Sequence, residues 1–278
     1  MATPPSPKMT LHVREAGSGP AIVLLHGLGG DHTVWEAQLS GLASDFRVLA
    51  PDLRGHGRSV APEGSTFSFA EMIGDVAGML DERDISCAHF VGLSAGGFLT
   101  LRFALQFPLR MSSQVLIASS SHCDAHSRAV TESWVDTRRD EGFDAFVLRL
   151  LKDLYYPDWA ESHLEIVEKV SRQQKVQDPR AILGWGAAIA AFDLRGRLGK
   201  MQLPTLVVQG MDDRVVDPSH ARLLRQTIRG AELKLFAATG HMVPVERPNE
   251  VTELIRQFAR KAEASSQVPP ASPSGATP

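Results

Sequence analysis

Ser94 stands in Gly92-Leu93-Ser94-Ala95-Gly96-Gly97, between an apolar run (Ala88, Phe90, Val91) and a helix-like stretch from Phe98 to Leu105. A Gly-x-Ser-x-Gly sequence set between strand and helix has the form of a nucleophile elbow, a sharp turn that lifts a serine hydroxyl clear of a sheet. The spacing has a steric reason. So tight a turn brings the backbone two positions before and two after the serine into contact, where a Cβ would clash. The outgoing helix aims free amides at the serine, favouring negative charge on a bound oxygen.

A serine hydroxyl is a poor nucleophile near neutral pH; it needs a base within hydrogen-bond reach and a third group to orient that base. Of ten histidines, His241 is the best placed, in Thr239-Gly240-His241-Met242 directly after the last strand-like run. A carboxylate follows an earlier run ending at Gln209, in Gly210-Met211-Asp212-Asp213. Serine, acid, histidine is the chain order of elbow-type serine enzymes. The last part is a receiver for negative oxygen. In His26-Gly27-Leu28-Gly29-Gly30 the glycines let the backbone bend so that the Leu28 amide faces a reacting carbonyl, with the Ala95 amide as its partner. Each such donor is worth roughly 3 to 4 kcal/mol of transition-state stabilisation.

These groups must be carried by elements that converge, and the periodicity describes them. Strand-like runs lie at Leu11–Glu15, Ala21–Leu25, Arg47–Ala50, the elbow strand, Gln114–Ala118, Pro204–Val208 and Glu232–Phe236. The Gly17-Ser18-Gly19-Pro20 turn leads from the first run to the second. Helical spacing separates most of the others, as in Met72, Ile73, Val76, Met79 and Leu80 or Val251, Leu254, Ile255 and Phe258. Continuous apolar strands alternating with helices predict an α/β fold with a mostly parallel central sheet covered on both faces. The rhythm breaks across residues 122–200, where Phe143, Phe146, Val147, Leu150, Leu151 and Leu154 mark a helical face and no strand-like run appears. We expect residues 1–121 and 201–262 to form the core, residues 122–200 an inserted helical cap over the carboxyl edge of the sheet, where ligands of such sheets bind, and the Pro/Ser/Ala-rich residues 263–278 a disordered tail.

Composition narrows the function. The 278 residues are 43% hydrophobic and 22% charged, with 29 basic and 32 acidic side chains. No Lys/Arg cluster supports a phosphate-tracking surface, so nucleic acid is not an expected partner. No run approaches transmembrane length and no signal-peptide core is present, so the expected setting is cytoplasmic, away from membranes. Cys87 and Cys123 have neither disulfide-framework nor metal-ligand spacing and read as a buried strand residue and a loop residue. Oligomeric state is not legible.

With these pieces together, residues 10 to 262 resemble the α/β-hydrolase fold superfamily, in particular its cap-bearing serine esterases and lactonases, similar to enol-lactonase-like hydrolases. The carriers are His26-Gly27-Leu28-Gly29, Asp52-Leu53-Arg54-Gly55-His56-Gly57-Arg58-Ser59, the Ser94 elbow, Gly210-Met211-Asp212-Asp213 and Gly240-His241. The resemblance implies Ser94 as nucleophile, His241 as base, Leu28 and Ala95 as oxyanion donors, and Asp213 as orienting acid, since the family's acid sits three residues after the glycine. Asp124 is the second candidate acid, because some relatives use the end of the preceding strand.

Other residues read as structural. His26 props the loop it begins, His56 serves a Gly-rich turn, and Asp52 and Arg54 brace their own loop. His122 and His126 flank Cys123 without a fourth metal ligand, and no metal or other cofactor is expected. Trp134, Phe146, Trp159 and Trp185 are the cap aromatics expected to face the substrate. A serine at position 94 argues against dehalogenase and epoxide-hydrolase chemistry, which in this fold uses aspartate there. The cap holds 12 basic and 13 acidic residues, a balance that disfavours dianionic substrates. The expected partner is therefore a small to medium apolar ester or lactone. C–C bond hydrolysis of the meta-cleavage type and non-catalytic binding of a small hydrophobic molecule are the competing readings.

Overall fold

The computed structural model describes residues 9–166, 169 and 178–266. Seven strands form one sheet: β1 (Val13–Ala16), β2 (Ala21–Leu25), β3 (Arg47–Pro51), β4 (Ala88–Leu93), β5 (Met111–Ile117), β6 (Thr205–Gly210) and β7 (Glu232–Phe236). Their spatial order is β1-β3-β2-β4-β5-β6-β7. Every pair is parallel except β1 with β3, which is antiparallel. The turn after β1 therefore does not make a hairpin: β3 lies between β1 and β2.

Side-chain alternation explains why both sheet faces are dry. Val23, Leu25, Phe90, Leu116 and Val207 point into one core. Ile22, Leu24, Val91, Leu93, Val115, Ile117, Leu206 and Val208 point into the other. Helices α1 (Glu36–Leu42), α2 (Phe69–Asp81) and α3 (Ala95–Gln106) follow the early strands. The second begins with a Ser68/Glu71 capping box, which satisfies two otherwise unpaired amides.

Between β5 and β6 the described residues form α4 (Ala125–Asp140), α5 (Phe143–Leu154), α6 (Pro157–Ser162) and α7 (Pro179–Ala190). The two ends of this insert are joined by an isolated antiparallel bridge between His122 and Asp193. Cys123 N–H donates to the Phe192 carbonyl at 3.0 Å and Leu194 N–H to that of Ser121 at 2.8 Å. The bridge is too short to give a periodic signal. The core resumes with β6, α8 (Ser219–Thr227), β7, α9 (Val243–Glu246) and α10 (Pro248–Ser266). That last helix carries residues 263–266, which composition alone assigns to the tail; residues 267–278 lie outside the described residues. Cys87 is exposed rather than buried, because it precedes β4, and its sulfur meets Ser112 Oγ at 3.1 Å.

Strand ends set the site. Gly210 closes β6 against the turn that follows β7, and a Cβ there would lie 2.1 Å from the Gly240 carbonyl oxygen and 2.4 Å from that of Thr239. Backbone on both sides leaves nothing free to yield. Gly210→Ala is expected to lower unfolding free energy by about 2 to 3 kcal/mol, read as a reduced midpoint in urea denaturation with an unchanged slope.

Candidate active site

Ser94 takes φ 54° and ψ −117° between β4 and α3, a left-handed conformation that costs about 1 to 3 kcal/mol for a residue with a Cβ. Surrounding bonds hold it there. Ser94 N–H donates to the Ile117 carbonyl at 2.9 Å, while the Ser94 carbonyl accepts from Gly97 N–H at 2.8 Å and from Ser119 Oγ at 3.3 Å. A Cβ on Gly92 would stand 2.4 Å from the Gly96 carbonyl oxygen, the clash expected across the turn. Gly96 is needed for a different reason: its Cβ would strike the Leu25 carbonyl of the neighbouring strand at 2.2 Å. The elbow is thus closed on itself and pressed against β2.

Asp213 and His241 meet directly, Nδ1 to Oδ2, at 2.8 Å. The carboxylate is fully buried and its other contacts are donors: Val215 and Val216 N–H reach Oδ1 at 2.8 and 3.0 Å, and Gln209 Nε2 reaches Oδ2 at 2.7 Å. An acceptor-only group surrounded by donors has its lone pairs satisfied without water. Asp212 is exposed and points elsewhere. Asp124 is also excluded from His241's company: it caps α4 through Ser127 N–H and pairs with His220 Nε2 at 3.0 Å, contacts that hold its pKa down at about 2 against the cost of burial.

Ser94 and His241 line the same cavity. No hydrogen bond joins their side chains in this structure; such bonds are commonly long until substrate engages. The loop from His26 to Gly30 passes close by, since a Cβ on Gly27 would touch Ser94 Cβ at 3.2 Å. The Leu28 and Ala95 N–H groups have no acceptor among the described residues.

Two buried histidines shape that loop. Leu53 N–H donates to His26 Nε2 at 2.9 Å, leaving the His26 Nδ1 proton for the Gly27 carbonyl at 2.8 Å. Gly29 N–H donates to His56 Nε2 at 3.1 Å, and His56 Nδ1 donates to the Arg54 carbonyl at 3.1 Å. Both rings must be neutral to accept these bonds. Burial lowers the pKa of each, and with His26 beside it His56 is pushed down to about 3. Behind them, Asp52 Oδ1 accepts from His32 N–H and Nδ1, and Oδ2 from Arg58 N–H and His12 Nδ1. His12, His32 and Asp52 have the spacing of metal ligands, but all four carboxylate positions are taken up in tying β1, β3 and the loop together. Arg54 braces more than its own loop, through a buried two-pronged pair with Asp75 of α2 at 2.7 Å.

The cavity measures about 400 Å³. Apolar side chains dominate its lining, including Leu28, Val34, Leu93, Leu154 and Val245, and Trp134 reaches it from α4. The other three cap aromatics lie outside this lining. Phe146 is packed with Val147, Leu150, Val215 and Val216. Trp159 stacks between Tyr155 and His163, at 5.1 and 4.2 Å. Trp185 is buried edge-on to His56, and its indole N–H donates to the Arg54 carbonyl at 3.1 Å. Helical spacing marks such side chains as inward-facing but does not say which interior they face.

Some contributors left no local signal. Gln209 sits at a strand end like any β residue. Tyr155, which lines the cavity, reads only as one more aromatic of the insert's interior, and Glu246 sits in no motif. The short spacing from Gly240-His241 to Glu246 is the clue that could have pointed to a carboxylate folding back on the His241 loop.

Residues 20–248 match the α/β-hydrolase fold family. The chain belongs to that family and is a hydrolase. Among its relatives, a protein of Variovorax paradoxus named provisionally as a carbamate hydrolase is 33% identical over 84% of this chain and 90% of its own. A thermophilic esterase of Thermogutta terrifontis superposes with a TM-score of 0.83 at 26% identity, over 93% of this chain and 99% of that one. The enol-lactonase of Burkholderia xenovorans does so with a TM-score of 0.83 at 28% identity, over 92% and 100%. Among the described residues no helix is long and apolar enough to cross a membrane.

The neutral His56 ring has a consequence for stability. Its folded-state value of about 3 lies below the ordinary 6.5, so the unfolded chain binds the proton first. Stability is therefore intact above about pH 6.5 and falls as pH drops toward 3, by up to about 1.4 kcal/mol per pH unit for each such histidine. Urea unfolding at pH 7.5 and 5.0 is expected to show this loss, and His56→Gln, which keeps an acceptor for Gly29 N–H, to reduce it.

Proposed function

We propose that this protein hydrolyses carboxylic esters or lactones of small to medium apolar substrates through a Ser94–His241–Asp213 triad and an acyl-enzyme. The observation that carries the reading is the buried Asp213–His241 pair opening, beside Ser94, onto an apolar cavity. In the first half-reaction Ser94 Oγ bonds to the substrate carbonyl carbon as its proton passes to His241 Nε2. Asp213 holds the Nδ1 proton, keeps Nε2 directed inward and offsets the imidazolium charge. The tetrahedral oxygen takes hydrogen bonds from the Leu28 and Ala95 amides. Collapse breaks the bond to the leaving oxygen, which departs with the His241 proton. A water then gives a proton to His241 as it attacks the acyl carbon, and collapse breaks the bond to Ser94 Oγ, which takes that proton back from His241 as the acid leaves.

The walls support the substrate class. A cavity of about 400 Å³ with a mostly apolar lining, in which Asp31, Glu36 and Lys169 are the charged members besides His241, favours an apolar acyl or ring substituent and is far roomier than a simple carbamate requires. The esterase and enol-lactonase likenesses support ester and lactone chemistry.

Purified protein is expected to hydrolyse p-nitrophenyl esters with acyl chains of medium length faster than acetate. Ser94→Ala is expected to lower kcat by on the order of 10³-fold or more. Turnover unchanged in Ser94→Ala, or confined to charged acyl groups, would overturn the proposal.

A further inference from the structure

The His241 loop is gripped by a carboxylate that is neither the acid partner of the imidazole nor part of a surface ion pair. Glu246, on α9, is buried at 5% exposure. Its oxygens accept Gly240 N–H at 3.1 and 3.0 Å, and Oε2 also accepts Tyr156 N–H at 3.3 Å. One side chain therefore joins the residue preceding His241 to the turn between α5 and α6 of the insert. The same turn reaches back. The Leu154 carbonyl accepts His241 N–H at 2.8 Å and Met242 N–H at 3.2 Å.

The fit is close enough to require glycine at 240, where a Cβ would lie 2.7 Å from Tyr156 N and 2.8 Å from the Leu154 oxygen. Arg247 secures the other end of the loop by donating to the carbonyls of Ala237 and Ala238 and to Thr239 Oγ1. Ala238 itself is held at φ 46°, so the loop depends on these bonds to keep its path.

We propose that Glu246 is the positioning residue of His241: by bonding Gly240 and Tyr156 at once, it fixes the imidazole relative to Ser94 and makes that placement depend on the insert. This rests on the triad reading above. Burial raises the pKa of Glu246, against the bonds from Gly240 and Tyr156 and the nearby Arg247 and His241. A carboxylate kept in such surroundings needs the donors it has found. A glutamine of the same shape presents an N–H₂ where one of those donors already points.

The test compares wild type with Glu246→Gln in two measurements. In the ester assay kcat is expected to fall about ten- to a hundredfold, with KM within about twofold, because a small displacement of the base affects the chemical step rather than binding. In one-dimensional proton NMR the downfield Nδ1–H resonance of His241, assigned with His241→Gln, is expected to shift or broaden while the melting curve remains cooperative. Should Glu246→Gln not fold, Glu246→Asp keeps the charge, shortens the reach by about one C–C bond of 1.5 Å and is read the same way. An unchanged resonance with unchanged kcat overturns the proposal, as does a fall in melting temperature with kcat per titrated active site intact. If wild type shows no Ser94-dependent turnover, it is the triad reading that fails, and the NMR comparison alone decides the role of Glu246.

Discussion

A fully buried carboxylate can exist in this fold only because donors surround it. Asp213 accepts from Val215 and Val216 in its own loop, from Gln209 at the end of β6 and from His241 in the loop after β7, so the full set of donors exists only when β6 and both loops are in place. Removing water from such a group costs several kcal/mol unless donors replace it. The carboxylate therefore acts as a joint between two strand ends that share no sequence neighbourhood. As an acceptor-only partner it also accepts the Nδ1–H of His241, which on the proposed reading leaves Nε2 to act as the base.

The helical insert does more than cover the sheet. It contacts each loop that surrounds Ser94 by a separate route. Trp185 packs on His56, whose Nε2 accepts Gly29 N–H in the loop carrying Leu28. Trp134, Phe146 and Leu150 share an apolar cluster with Val215 and Val216 beside Asp213. Leu154 and Tyr156 bond the backbone around His241 and Glu246. A chain that builds its cavity wall and braces the loops around Ser94 with the same helices cannot vary one independently of the other. On the proposed reading, changes to the insert that alter substrate preference will often alter rate as well.

The histidines divide by what their nitrogens do. His26 and His56 each accept a backbone amide and donate to a backbone carbonyl, so their neutral rings serve as spacers of fixed shape. His220 lies against Asp124. Of the residues weighed as bases, His241 has one nitrogen on a carboxylate and lines the cavity that Ser94 also lines. Titratable character alone would not have separated these roles; the distinction comes from which partners burial supplies.

Strand and helix order, the elbow and the placement of Ser94 were legible from the chain because they are local: glycine spacing, apolar alternation and helical periodicity each act over a few residues. The apolar run at Ala21–Leu25 announced a strand covered on both faces, the run at Pro204–Val208 announced another, and Gly92 announced its turn. What the tertiary structure decided is every relation between distant segments. It placed β3 between β1 and β2, where the Gly17–Pro20 turn suggested simple succession, and turned Asp213 inward with Asp212 left in solvent. It sent Trp185 and Phe146 to other interiors and Trp159 into a ring stack, leaving Trp134 on the cavity. It also folded Glu246 back onto Gly240. The physical reason is the same in each case: periodicity records that a side chain will be buried, whereas the neighbour it is buried against is set by how strands and helices from remote parts of the chain close upon one another.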